Sequence, residues 1–178
     1  LVSDVMKGGG GSTGLAPPGY VIFNERLYFA ADGIVDLGGG PEPVGTELFR
    51  TNGAKEAHVL IKDIDLGLGG SSPANLVVSG ATATAFGRLY FVANTANEGR
   101  ELWTSDGSLE DTENKLVKDI FIGTSSSDIA NITPMVINTT PGSAPTFSNR
   151  VVFTADEGSN GNELWHSDGT TNGTVLLK

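Results

Sequence analysis

The chain says nearly the same thing three times. Leu27-Tyr28-Phe29, Leu89-Tyr90-Phe91 and Val151-Val152-Phe153 start 62 residues apart, at positions 27, 89 and 151. Each is followed by an acidic-aromatic triplet: Glu47-Leu48-Phe49, Glu101-Leu102-Trp103 and Glu163-Leu164-Trp165. Each triplet is followed in turn by Leu60-Ile61-Lys62, Leu116-Val117-Lys118 or Leu176-Leu177-Lys178. A period of this size marks supersecondary units that cannot bury their apolar faces alone and stack to do so. Whatever one unit folds into, its neighbours must fold into too.

One repeat reads as four short strands. The first runs up to a two-residue turn, expected at Asn24-Glu25, Phe86-Gly87 and Ser148-Asn149. The second strand, best seen in Leu89-Tyr90-Phe91-Val92-Ala93, is apolar on consecutive residues, as a strand buried on both faces must be. The third carries the Glu-Leu-aromatic triplet. Ser105-Asp106-Gly107 and Ser167-Asp168-Gly169 then turn the chain, with Thr51-Asn52-Gly53 as a degraded copy, because Asp-Gly and Asn-Gly supply the positive φ of tight turns. The fourth strand mixes polar and apolar positions, as an outer, half-solvated strand does. Gly/Ser-rich loops lead onward, and the stretches 33–45 and 122–143 read as decorated loops.

The expected fold is therefore all-β: a propeller-like array of three four-stranded antiparallel blades, incomplete as a monomer. It forms a single array over 1–178, with blades at roughly 13–64, 74–120 and 130–178. Propellers usually close with about four to eight blades, so three leave apolar faces in need of cover. The expected partners are further blades of a longer chain or other copies of this one, in a six-bladed ring or a filament. Leu1-Val2-Ser3-Asp4-Val5 repeats Leu116-Val117-Lys118-Asp119-Ile120, Gly/Ser tail included, so the sequence reads as starting inside one fourth strand and stopping inside another. Residues 1–5 are a spare outer strand, expected to pair in a sheet by strand addition.

The totals narrow the function classes. A net charge of −10 lacks the Lys/Arg footprint that nucleic-acid phosphates require. Cysteine is absent, which excludes disulfides, thiolate metal sites and a Cys nucleophile. No apolar run approaches the length of about 18 residues needed for a membrane-spanning helix, and no membrane insertion is expected. Neither a nucleophile elbow nor a phosphate loop occurs.

At these residues a family resemblance emerges. Glu163-Leu164-Trp165-His166-Ser167-Asp168-Gly169-Thr170-Thr171-Asn172-Gly173-Thr174-Val175-Leu176-Leu177-Lys178 resembles the E-L-W-x-x-D-G-T-x-x-G-T-x-L-V-K-D-I repeat of bacterial extracellular proteins. Val151-Val152-Phe153-Thr154-Ala155-Asp156 resembles the L-Y-F-x-A-D segment that precedes it. The first copy departs most, with Phe49 for Trp; the middle copy has Glu113-Asn114 for the second Gly-Thr. The resemblance implies a propeller-like array, an extracellular or cell-surface location and no known enzymatic activity.

Candidate site residues fall at repeated positions. Glu47, Glu101 and Glu163 read as structural acids tied to backbone N–H groups or to a Lys or Arg, because three equivalent positions around an array do not converge on one bond as a catalytic pair must. Asp106 and Asp168 read as turn residues bonding their own backbone. Trp103 and Trp165, with Tyr28 and Tyr90, read as packing, the competing reading being sugar-stacking platforms. Asp156, Asn160 and Glu163 are the candidate metal ligands, in the stretch richest in the oxygen donors that Ca²⁺ takes. His58 and His166 read as surface residues, and no catalytic residue or obligate cofactor is assigned. The expected function is a non-enzymatic extracellular repeat module with a structural, filament-forming or adhesion role. The alternative is a glycan- or calcium-binding module.

Overall fold

The computed structural model describes residues 19–36, 40–55, 57–80, 87–110, 112–137 and 146–177. The described residues form twelve strands and no helix. The first sheet holds β1 (Tyr20–Phe23), β2 (Arg26–Asp36), β3 (Pro41–Thr51) and β4 (His58–Lys62). The second holds β5 (Ala74–Ser79), β6 (Arg88–Thr95), β7 (Gly99–Ser105) and β8 (Lys115–Lys118). The third holds β9 (Ala130–Ile137), β10 (Thr146–Asp156), β11 (Asn162–Ser167) and β12 (Val175–Leu176). Each sheet is an antiparallel meander in chain order, so three four-stranded blades follow one another as the period requires. Neighbouring blades approach at their first strands, β1 to β5 and β5 to β9.

Local chemistry explains the turns. Asn24 and Glu25 both take positive φ, 48° and 58°, giving the two-residue hairpin that matches strand twist. The loop expected over 33–45 is instead mostly strand: β2 and β3 stay paired through Val35↔Glu42 and Asp36↔Pro41, past a register shift after Gly33. The turn expected at Ser148-Asn149 is also not a turn. Both residues lie within β10, between its ladder pairs Phe147↔Val136 and Val151↔Pro134. The ladder shifts register across them, and the Ser148 and Asn149 carbonyls are satisfied by the Ser79 and Tyr90 hydroxyls of the second blade. Phe86 of the expected Phe86-Gly87 turn and the spare strand Leu1–Val5 lie outside the described residues.

The blades are held by their faces. β6 is buried on both sides, with Leu89, Tyr90, Phe91, Val92 and Ala93 all at 1% exposure or less. Tyr28, Leu48 and Ile61 of the first blade pack on Leu89, Phe91, Ala93 and Trp103 of the second. Tyr90, Leu102 and Val117 of the second pack in the same way on Val151, Phe153, Ala155 and Trp165 of the third. Each junction thus joins the forward face of one blade, the side toward the next repeat, to the back face of the next. The back face of the first blade is also buried, where Phe29, Ala31 and Phe49 cluster with Val35 and Val44 of the extended β2–β3 hairpin. No helix among the described residues is long and apolar enough to cross a membrane.

Candidate functional site

Glu47 and Glu101 sit on β3 and β7, fully buried, at the position where the Glu-Leu-aromatic triplet begins. A buried carboxylate is tolerable only if its lone pairs are satisfied. Glu47 accepts hydrogen bonds from the Ser71 amide at 2.7 Å, the Ser71 hydroxyl at 2.5 Å and the Asp65 amide at 3.3 Å. Glu101 accepts them from the Ser127 hydroxyl at 2.7 Å and the amides of Ile120 and Phe121, each at 3.2 Å. Both acids therefore grip the Gly/Ser loop that leaves their own blade. That loop in turn grips the next blade, since the Ser71 carbonyl accepts the Asn94 amide and the Ser127 carbonyl the Asp156 amide, both at 2.8 Å. Burial pushes Glu101 up to about 7, and pushes Glu47 up as well, against the opposing pull of these donors.

Glycine makes room for the loop. Gly45 and Gly99, each two residues before its Glu, take φ of +66° and +67°. A Cβ on Gly45 would stand 2.7 Å from the Gly70 amide, and one on Gly99 2.4 Å from the Ser125 carbonyl. In the third blade no described residue crosses at the equivalent glycine. Gly161 keeps φ at +76°, yet a Cβ there would meet nothing within 4 Å. Glu163 is partly exposed, and its carboxylate accepts no hydrogen bond from the described residues.

The forward face of the third blade is correspondingly open. Leu48 and Leu102 are 0% exposed, whereas the equivalent Leu164 is 46% exposed; Ile61 and Val117 are buried, whereas Leu177 is 48% exposed. Val152 stands where Tyr28 and Tyr90 stand in the other blades. The two tyrosines tie junctions: Tyr28 donates to the Gly107 carbonyl at 3.2 Å, and Tyr90 to the Asn149 carbonyl in the irregular stretch of β10. Burial pushes the Tyr90 phenol up. Ser79 adds its hydroxyl to the carbonyls of Ser148 and Arg150.

The other candidates are placed as follows. The Asp106 carboxylate accepts the Ser108 amide at 2.8 Å, and that of Asp168 the Thr170 amide at 3.0 Å and hydroxyl at 2.7 Å. Those hydrogen bonds, the Thr170 hydroxyl foremost, hold Asp168 below the usual carboxylate range. Trp103 and Trp165 lie in the two blade junctions at 7% and 6% exposure, with the Lys118 ammonium 5.5 Å from the centroid of Trp165. Neither indole face is open to a sugar. Asp156 accepts the Gly158 amide at 2.6 Å, and Asn160 donates to Glu157, so the oxygen-rich β10–β11 turn bonds largely to itself. Among the described residues no group of three or more His, Asp or Glu is arranged to hold a metal ion. His58 packs against Phe49, with ring centroids 6.2 Å apart, and His166 lies on the third strand of the third blade.

Sequence reasoning identified the glutamates but missed their partners, Ser71 and Ser127, which sit in the Gly/Ser-rich loops read only as leading from one unit to the next. A signal was present: eleven positions separate Leu60 from Ser71 and Leu116 from Ser127. Comparison with family models, curated proteins and solved structures finds no match to this chain.

Proposed function

We propose that the protein is a non-enzymatic, extracellular β-repeat module whose role is structural: it builds larger assemblies by continuing its own blade stack. The supporting observation is the forward face of the third blade, where Val152, Leu164 and Leu177 occupy positions that are closed over in both other blades. An apolar sheet face of this kind is covered in the working state. The charge-bearing repeat positions add weight, since Glu47 and Glu101 are consumed in holding loops and Asp106 and Asp168 in making turns. The extracellular setting follows from the resemblance to the E-L-W-x-x-D-G-T repeats of bacterial extracellular proteins.

Light scattering on the purified chain, with negative-stain imaging, tests the reading. Rings or polymers that dissociate on dilution are expected. A chain that stays monomeric at about 100 μM, a concentration at which even weak specific interfaces form, overturns it. Turnover of generic hydrolase substrates by the pure protein would overturn the non-enzymatic part.

A further inference from the structure

We propose that the rim formed by the β4–β5, β6–β7, β8–β9 and β10–β11 connections is a docking surface for a basic polypeptide segment that carries apolar side chains. The antiparallel meanders bring these connections out on one side of the molecule, where they touch in a row. The Asp65 carboxylate accepts the Ala96 amide at 3.3 Å, which ties the first connection to the second. The Arg100 amide donates to the Ser126 hydroxyl at 3.2 Å, which ties the second to the third. Phe121 of the third lies against Gly158 of the fourth, where an added Cβ would stand 2.8 Å from its ring.

The rim is apolar at its tips. Ile122, Leu66 and Leu68 are 85%, 84% and 77% exposed, the three most exposed large hydrophobic side chains among the described residues. Leucines scattered singly over a surface are ordinary, but these are not scattered. Leu66 stands six positions after Leu60, and Ile122 six after Leu116, so two loops of one design hold an aliphatic residue at the same place. Gly67 and Gly123 follow them with φ of +97° and +101°. A Cβ on either glycine would meet nothing within 4 Å, so each tip stands clear of its blade. Both loops are anchored through Ser71 and Ser127 to the buried glutamates. The tips are therefore held in place before a partner arrives, which lowers the ordering cost of binding.

Charge selects the partner. Segments 63–73, 95–100, 119–129 and 156–162 hold seven carboxylates and one cation, Arg100. They carry a net charge of −6 out of −10 for the whole chain. The Arg100 guanidinium is turned to the Ser72 carbonyl at 3.0 Å and bridges two blades. An anionic lipid surface, or the equally acidic rim of a second copy, is repelled by this field, whereas a basic segment is drawn to it. Asp65 and Asp156 each accept one backbone amide on one carboxylate oxygen, which leaves lone pairs for an incoming Lys or Arg. Apolar side chains on the same segment cover Leu66, Leu68 and Ile122, giving the apolar centre and polar border of a protein interface.

The test titrates the full chain, by calorimetry, with a synthetic amphipathic peptide of Leu and Lys about 14 residues long. The double variant Leu66→Ser/Ile122→Ser is expected to bind it about tenfold or more weakly, because two aliphatic side chains lose their cover. Both residues are exposed, so circular dichroism should show the fold unchanged. Asp128→Asn with Glu157→Gln should also weaken binding, as should salt at about 1 M. A matched Lys/Ser peptide should bind at least about tenfold more weakly than the Leu/Lys one, and a matched Leu/Glu peptide should not bind. Equal binding by the double variant, or by the Lys/Ser peptide, reduces the rim to a diffuse acidic field and overturns the proposal. So does the absence of binding to the Leu/Lys peptide at about 1 mM. Phosphatidylserine vesicles captured through the same tips would assign the rim to a lipid surface instead. Self-association lost in the double variant would make the rim a contact between copies and overturn the assignment equally. Leu164→Lys, on the forward face of the third blade, should leave peptide binding unchanged, so the rim and the blade stack fail separately.

Discussion

At the scale of single residues, the same glutamate lives in two environments. Glu101 is sealed under its loop, while Glu163 faces water in part. Glu101→Gln replaces one acceptor oxygen with a donor facing other donors, and is expected to destabilise the fold by about 1–3 kcal/mol. Its titration gives a second readout. With its folded value near 7 and its reference value at 4.5, the folded chain holds a proton that the unfolded chain has released between those limits. Stability therefore falls as pH rises from about 4.5 through 7, and Glu101→Gln should flatten that part of a urea-midpoint-versus-pH profile. A steeper decline in the variant would contradict the assignment. The sequence exposed the acid as repeated and structural, since a residue present once per blade is poorly placed for convergent chemistry. It did not expose the partner serine, because Ser71 meets Glu47 across 24 residues and only folding brings them together.

At the scale of elements, a strand, a glycine and a loop act as one device. Gly99 bends the start of β7 so that the loop can cross beside the Ser125 carbonyl. Gly99→Ala adds a left-handed penalty of about 1–2 kcal/mol and a collision with backbone, for a total cost of about 3 kcal/mol or more. Gly161→Ala meets open space in the single chain and should cost only the left-handed penalty. Thermal melts of the two variants side by side measure the difference; equal losses would mean that the loop exerts no packing constraint. Strand number, order and the positive-φ turn at Asn24-Glu25 were legible in the sequence. The β2–β3 extension was not, because Gly33, Pro41, Pro43 and Gly45 look like loop residues, and pairing of an exposed hairpin is decided by neighbouring strands more than by propensity. The same reason hid the continuation of β10 through Ser148-Asn149, whose carbonyls take hydrogen bonds from the second blade.

For the whole molecule, the array has direction. The back face of the first blade is covered by Val35 and Val44 of its own hairpin, while the forward face of the third leaves Leu164 and Leu177 exposed among the described residues. Leu102→Ala removes a fully buried side chain and should cost about 2–5 kcal/mol. Leu164→Lys should leave the melting transition of the single chain almost unchanged and weaken association at least tenfold, since a desolvated lysine would sit in the apolar junction. Unchanged association in that variant would rule out the forward face as the contact. By itself, the sequence determined the number of units, the four strands within each and the lean, acidic, cysteine-free chemistry of the chain, because these depend on period and residue type. Only the tertiary structure decided which glutamate is satisfied, which glycine is crowded and which leucine is wet. Those are properties of what lies opposite a residue, and similar repeats acquire different neighbours once they are packed in space.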